Sequence, residues 1–200
     1  MKFRVNKIIK NTKVEGPGER YCIWFQGCSK RCKGCFNTDT HDFKGGEEKD
    51  TESIIQDILN TKNIEGVTFL GGEPFEQFEA LYKITCAVKE ASLSVLCFTG
   101  KKYKEIKEKY SKILPFIDIL IDGEFVEEKL DYSRPWVGSS NQKYHFLTKR
   151  YDKSILKEYK NKAEINIKKD GKVVINGMGD FKKILKSLEL CTISSKNDNI

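Results

Sequence analysis

Apolar runs that alternate with stretches of helical period constrain the fold of this chain more than any other feature. Tyr21 to Phe25, Val67 to Leu70, Ser94 to Phe98 and Phe116 to Ile121 read as short strands. Between them, Ile54, Ile55, Ile58 and Leu59 fall on one helical face. Phe78, Leu81, Ile84, Val88 and Ala91 form a second such set, and Tyr103, Ile106, Tyr110 and Ile113 a third, ended by Pro115. Apolar strands joined through helices of about 10–15 residues argue for a parallel sheet with crossover helices. Right-handed crossovers curl such a sheet into a barrel or part of one. The expected fold is therefore α/β, a partial (open) β/α barrel of mostly parallel strands.

The flanks differ in texture. Phe3 to Ile9 alternates weakly and reads as a strand, Glu15-Gly16-Pro17-Gly18-Glu19 as a turn, and Thr51 as a helix N-cap. Lys143 to Leu147 adds a strand after the loop Arg134 to Gln142. Ile165 and Ile167 face Val173 and Ile175 across Asp170-Gly171, a hairpin signal. Phe181, Ile184, Leu185 and Leu188 mark a final helix, followed by a polar tail from about residue 194. We expect a core domain over 1–151 and a C-terminal hairpin-and-helix extension over 152–200.

In this fold class functional loops follow the carboxyl ends of the strands. Three unusual segments do so: 27–36, Gly71-Gly72-Glu73-Pro74 and Asp122-Gly123. The first holds Cys28, Cys32 and Cys35 in C-x3-C-x2-C spacing, three of the seven cysteines of the chain. An odd count argues against a closed disulfide framework. Cys22, Cys86, Cys97 and Cys191 stand in apolar or edge contexts and read as small buried hydrophobes. The loop cysteines have polar, cationic or glycine neighbours, so they point to metal. Lys30, Arg31 and Lys33 are expected to lower the thiol pKa values. Structural zinc needs four ligands, and His41, Cys22 or a distant residue remains open as the fourth. Three cysteines on a four-iron cluster leave one iron open, the mark of a catalytic site.

Composition narrows the partners. The net charge is +7, from 31 Lys and 5 Arg against 29 acids. Nucleic-acid readers favour arginine forks, so scattered lysine reads as solvated surface, able to steer docking on an acidic partner. No direct nucleic-acid contact is expected. No run approaches a membrane span of ~20 apolar residues, and the N-terminus has no signal-peptide pattern. The expected location is cytoplasmic.

C-x3-C-x2-C followed by a strand-borne Gly-Gly-Glu resembles the radical S-adenosylmethionine (SAM) superfamily. Further segments are similar to the small activating enzymes of glycyl radical enzymes, above all those serving anaerobic ribonucleotide reductase. These are Gly16-Pro17-Gly18-Glu19-Arg20, Trp24-Phe25-Gln26-Gly27-Cys28, Cys35-Phe36-Asn37, Ile121-Asp122-Gly123 and Gly138-Ser139-Ser140-Asn141-Gln142. The resemblance implies a [4Fe-4S] cluster on Cys28, Cys32 and Cys35, with SAM on the open iron. It implies that Gly71, Gly72 and Glu73 run along the methionine amino group, and that Gly34, Cys35 and Phe36 contact adenine. Many members carry an aromatic residue where this chain has Gly34; Phe36 would cover adenine instead. Asp122, Ser139 and Asn141 are further candidates for SAM contact, with loop capping equally open for Asp122. The implied partners are a glycyl radical enzyme and a flavodoxin- or ferredoxin-type electron donor. Two other readings stay open: a stand-alone radical SAM enzyme acting on a peptide or small molecule, and a zinc-stabilised binding module.

Overall fold

The structure, a computed structural model, describes residues 1–167 together with 169, 171, 173–179 and 186. Cys191, most of the expected final helix and the polar tail lie outside the described residues.

Seven strands form one sheet. Strand β1 (Lys2–Thr12) pairs antiparallel with β2 (Arg20–Phe25) and with β3 (Glu47–Asp50). Strands β2, β4 (Gly66–Gly71), β5 (Ser94–Thr99) and β6 (Ile119–Asp122) make the parallel centre. Antiparallel β7 (Lys143–Phe146) closes the order β3-β1-β2-β4-β5-β6-β7. The crossovers are α1 (Thr51–Asn60), α2 (Phe78–Glu90) and α3 (Tyr103–Lys109). A separate hairpin, expected from Asp170-Gly171, pairs β8 (Ala163–Ile167) with β9 (Val173–Gly177).

Every residue of β2 is buried, as a strand covered on both faces requires. The two faces are dressed differently. Tyr21, Ile23, Phe25, Val67, Phe69, Val95 and Leu120 pack with Ile54, Ile58, Leu81, Ile84, Val88 and Ile106 of the helices. On the other face, Cys22, Trp24 and Leu70 form one cluster, and Leu96, Ile119 and Ile121 pack with Trp136 and Val137. All three helices thus cover one face, the arrangement of a β/α wall. The ends of the sheet do not pair: among the described residues it is an open sheet, with no barrel closure.

One strand is added and two local expectations are corrected. Glu47–Asp50, a purely charged stretch, is an edge strand, held through its backbone by β1. Helix α1 is capped by Asp50, whose carboxylate accepts from the Glu52 and Ser53 amides at 3.0 and 3.3 Å. Thr51 is already helical and buried. The third helix stops at Lys109, and Ser111–Phe116 continues as a 3-10 helix containing Pro115. Proline cannot donate into an α-helical ladder, so β6 begins only at Ile119.

Candidate metal centre

Strand β2 delivers the cysteine loop to the C-terminal edge of the sheet, next to the end of β4. Backbone bonds fix the junction: Gly72 N donates to Phe25 O and Glu73 N to Gly27 O, both at 2.9 Å. The loop is tied back by Gly27 N to Thr40 O at 2.8 Å and by the Gln26 amide, which donates to the carbonyls of Asp39 and Asp42.

The result is a pocket of about 130 Å3. Cys28, Cys32 and Cys35 line it together with Phe36, Gly71, Gly72 and Glu73. Motifs more than 35 residues apart in the chain therefore meet at one site. Gly34 lines an adjoining cavity instead. Asp122, Ser139 and Asn141 line neither, although their neighbours Gly123, Gly138 and Gln142 line the pocket. The Asp122 carboxylate accepts from Tyr103 N at 2.8 Å, at the start of α3, and meets His145 Nε2 at 2.9 Å; of its two readings, these bonds fit loop capping. Ser139 Oγ accepts from Val126 N, and Asn141 Nδ2 donates to Glu124 O. These side chains hold the loops whose backbones face the pocket.

The two glycines are required by the packing of the backbone itself. A Cβ on Gly72 would lie 2.4 Å from Gly27 O, and one on Gly71 2.7 Å from Trp24 Cα. Their bareness lets the end of β4 close against β2, which seats the cysteine loop. Glu73 is buried and fully engaged: it accepts from Phe75 N, Thr99 Oγ1 and Gly100 N. Burial raises its pKa, and these donors oppose the rise.

Two of the three cations of the loop are held by acids, although Lys30 still lines the pocket. Lys30 pairs with Glu124 at 2.8 Å, and Lys33 with Glu128 and Glu127 at 3.2 and 3.4 Å. Burial pushes the Cys32 and Cys35 thiols up, against the expected lowering. The amide of Asn37, which donates to Cys35 Sγ at 3.4 Å, works in the other direction. Metal binding must therefore displace protons, as thiolate ligation does.

The residues fit an iron–sulfur cluster. Three thiols rim one pocket, and His41 Nε2, on its wall, is buried without a hydrogen-bond partner. Among the described residues no three His, Cys, Asp or Glu side chains, the loop cysteines included, are grouped tightly enough to hold a metal ion. Cys22 lies in the core with Trp24 and Leu70, off the pocket. Phe125, Thr99 and Gly100 also line the pocket and went unmarked in the sequence. The Thr99-Gly100 break after an apolar strand was the available signal.

A mixed α/β sheet with a parallel centre, carrying three cysteines on one pocket beside the C-terminal ends of its parallel strands, defines the class, and residues 14–145 match the family described as the 4Fe-4S single cluster domain. The anaerobic ribonucleoside-triphosphate reductase-activating protein of Haemophilus influenzae is 34% identical over 140 residues, covering 66% of this chain and 90% of the relative. Those of Vibrio cholerae and bacteriophage T4 are 32% and 30% identical, covering 68% and 65% of this chain and 92% and 85% of their own lengths. The chain belongs to the 4Fe-4S single-cluster family and, within it, groups with the reductase-activating proteins. No helix among the described residues is long and apolar enough to cross a membrane.

Proposed function

We propose that this chain activates an anaerobic ribonucleoside-triphosphate reductase by radical SAM chemistry, with Cys28, Cys32 and Cys35 holding a [4Fe-4S] cluster. The observation that carries this reading is the convergence of these three thiols and Gly71-Gly72-Glu73 on one pocket. Bound here and reduced by a flavodoxin- or ferredoxin-type donor, cluster and SAM would supply one-electron cleavage to methionine and a 5′-deoxyadenosyl radical able to take a hydrogen atom from a glycine Cα of the partner. The protein's part is positioning and exclusion of competing hydrogen donors. The Gly71–Glu73 loop sits along the methionine end of SAM. The backbone of Gly34 to Phe36, where the pocket meets the adjoining cavity, would contact adenine, and Phe36, whose ring centroid is 5.0 Å from that of Phe125, would cover it. Asp122, Ser139 and Asn141 are positioning residues in this scheme, acting through the loops they fasten. We read the open sheet as a partial barrel with its helix-free face toward the substrate, residues 152–200 as an extension appended to a 1–151 core, and the setting as cytoplasmic.

The test is anaerobic reconstitution with iron and sulfide, followed by SAM, a reductant and the reductase. About four irons per chain, 5′-deoxyadenosine formation and a glycyl EPR doublet that requires the reductase are the expected results. Deoxyadenosine without any glycyl signal would instead mark a stand-alone catalyst, and a colourless zinc protein would overturn the scheme.

A further inference from the structure

Beside the cysteine pocket lies a larger cavity of about 790 Å3. The two adjoin through shared lining residues, Cys35, Phe36, Leu70 and Met178 among them. Trp24 and Leu70 contribute from the helix-free face of the sheet, and Ile175 to Met178 from the end of β9 and just beyond it. That hairpin wall lies outside the 14–145 segment that matches the family. It is a feature of this chain that the shared core does not explain.

The hairpin is fastened with care. Met178 N donates to Lys162 O at 3.0 Å, and Gly177 N donates to the Glu15 carboxylate at 2.7 Å. Gly177 has φ +100°, and a Cβ there would lie 2.2 Å from Lys162 O. A side chain at this position would therefore force the wall open.

Asn176 lines the cavity and is 3% exposed. Its Nδ2 donates to Thr12 Oγ1 at 2.9 Å, while the Thr12 hydroxyl donates to the Glu164 carboxylate. A hydroxyl has one proton. With that proton on Glu164, Thr12 only accepts from Asn176, which fixes the amide with Oδ1 turned away from Thr12. Oδ1 is buried without a hydrogen-bond partner. Buried carbonyl oxygens rarely go unpaired, so this one calls for a partner.

Resting on the reading that the substrate is a polypeptide, we propose that the β8–β9 hairpin completes the binding site for an extended segment of the partner enzyme, with Asn176 Oδ1 accepting a backbone N–H of that segment. A peptide backbone must find partners when it leaves water, and this cavity sets polar side chains such as Asn37, Asp39 and Asn176 beside apolar ones such as Trp24, Leu70 and Phe125, a mixed lining that can pair a backbone and pack its side chains. Its carboxylates, on Glu15, Asp39 and Glu127, outnumber the single Lys7 ammonium, and Asn37 and Asn176 add amide oxygens. That balance suits amides and disfavours a phosphate-bearing ligand.

The test uses the cluster-loaded full chain and a fluorescent peptide spanning the glycyl-radical segment of the reductase. A series of analogues replaces one backbone N–H at a time with an ester oxygen. One analogue should bind the wild-type protein about tenfold more weakly, the order expected for a single hydrogen bond. Asn176→Leu should weaken the parent peptide by a similar factor and be indifferent to that one ester, a coupled pair in a double-mutant cycle. With the whole reductase, Asn176→Leu should raise KM more than it lowers kcat. If no ester weakens wild-type binding, or if ester and Asn176→Leu losses simply add, the hairpin is a structural cap and the inference fails by itself, whatever glycyl radical the wild type makes. A wild type that cleaves SAM yet neither binds the peptide nor produces a glycyl radical overturns the functional reading and the inference with it.

Discussion

The Thr99 hydroxyl lies 2.9 and 3.0 Å from the two oxygens of the Glu73 carboxylate. This contact joins the loop after β4 to the end of β5, and the amides of Phe75 and Gly100 add to it at 3.1 and 2.8 Å. The side chain is thus the shared acceptor of two pocket loops. Glu73→Ala leaves these buried donors without a partner, at a cost of roughly 2–4 kcal/mol. Thr99→Val removes one donor and should cost about 1 kcal/mol. Urea unfolding of both variants checks the ranking; equal midpoints for Glu73→Ala and wild type would show that the brace is dispensable.

Gly72 carries a different load. Its place 2.4 Å, by a would-be Cβ, from Gly27 O means that Gly72→Ala must push the loop bearing Cys28 away from β4. Overpacking of this kind costs about 1–3 kcal/mol. Because the displaced backbone leads directly into the thiol loop, the variant should also bind less iron than wild type after reconstitution. Iron content measured on folded material separates this from simple instability; full iron loading would contradict the geometry.

Arg20 lies wholly buried beneath the Gly16-Pro17-Gly18 turn. Its guanidinium donates to Thr68 Oγ1, Ser94 Oγ, Pro17 O and Val67 O, so one planar fork ties the turn to β4 and β5. Burial lowers its pKa. Lysine has three donors on a point charge and cannot span this set. Arg20→Lys should therefore lose roughly 3 kcal/mol or more, because a charge stays buried with acceptors unmet. Thermal melts would show the loss, and a variant as stable as wild type would refute the fork's role.

The parallel centre of the fold was legible because β2, β4, β5 and β6 are apolar throughout and the helices between them keep strict apolar spacing. Cys28, Cys32, Cys35 and Gly71-Gly72-Glu73 were legible for the same reason: each follows such a strand. Strand β3 was hidden because its residues, Glu47 to Asp50, have no apolar pattern and owe their conformation to backbone pairing with β1. The packing role of Gly71 and Gly72 was hidden because a glycine needed for contact with Trp24 and Gly27 looks the same in sequence as one needed for a ligand. Lys30 and Lys33 were misread because their partners, Glu124, Glu127 and Glu128, lie some ninety residues away in the chain. Sequence adjacency to the thiols suggested an influence that tertiary pairing withdraws.

Glu15 should give the protein a pH-dependent stability. Its carboxyl is 3% exposed, and burial pushes its pKa from 4.5 up to about 7, against the opposing pull of the Gly177 amide and Lys7; Glu164 adds to the rise. A carboxyl raised on folding binds its proton more tightly in the native state. Between pH 4.5 and about 7 the native chain therefore holds more protons than the unfolded one, and stability falls as pH rises. The contribution is fully present below the unfolded value and lost as pH passes the folded one, a change of about 3 kcal/mol over the window. Other groups titrate in the same range, so the informative quantity is a difference. Glu15→Gln keeps an acceptor for Gly177 but does not titrate, and its stability relative to wild type should rise between pH 5 and pH 8 by up to that amount. Urea midpoints for both proteins across this range provide the measurement. A difference that stays constant with pH would mean that Glu15 is solvated in solution and that the hairpin carrying Gly177 does not close over it as described.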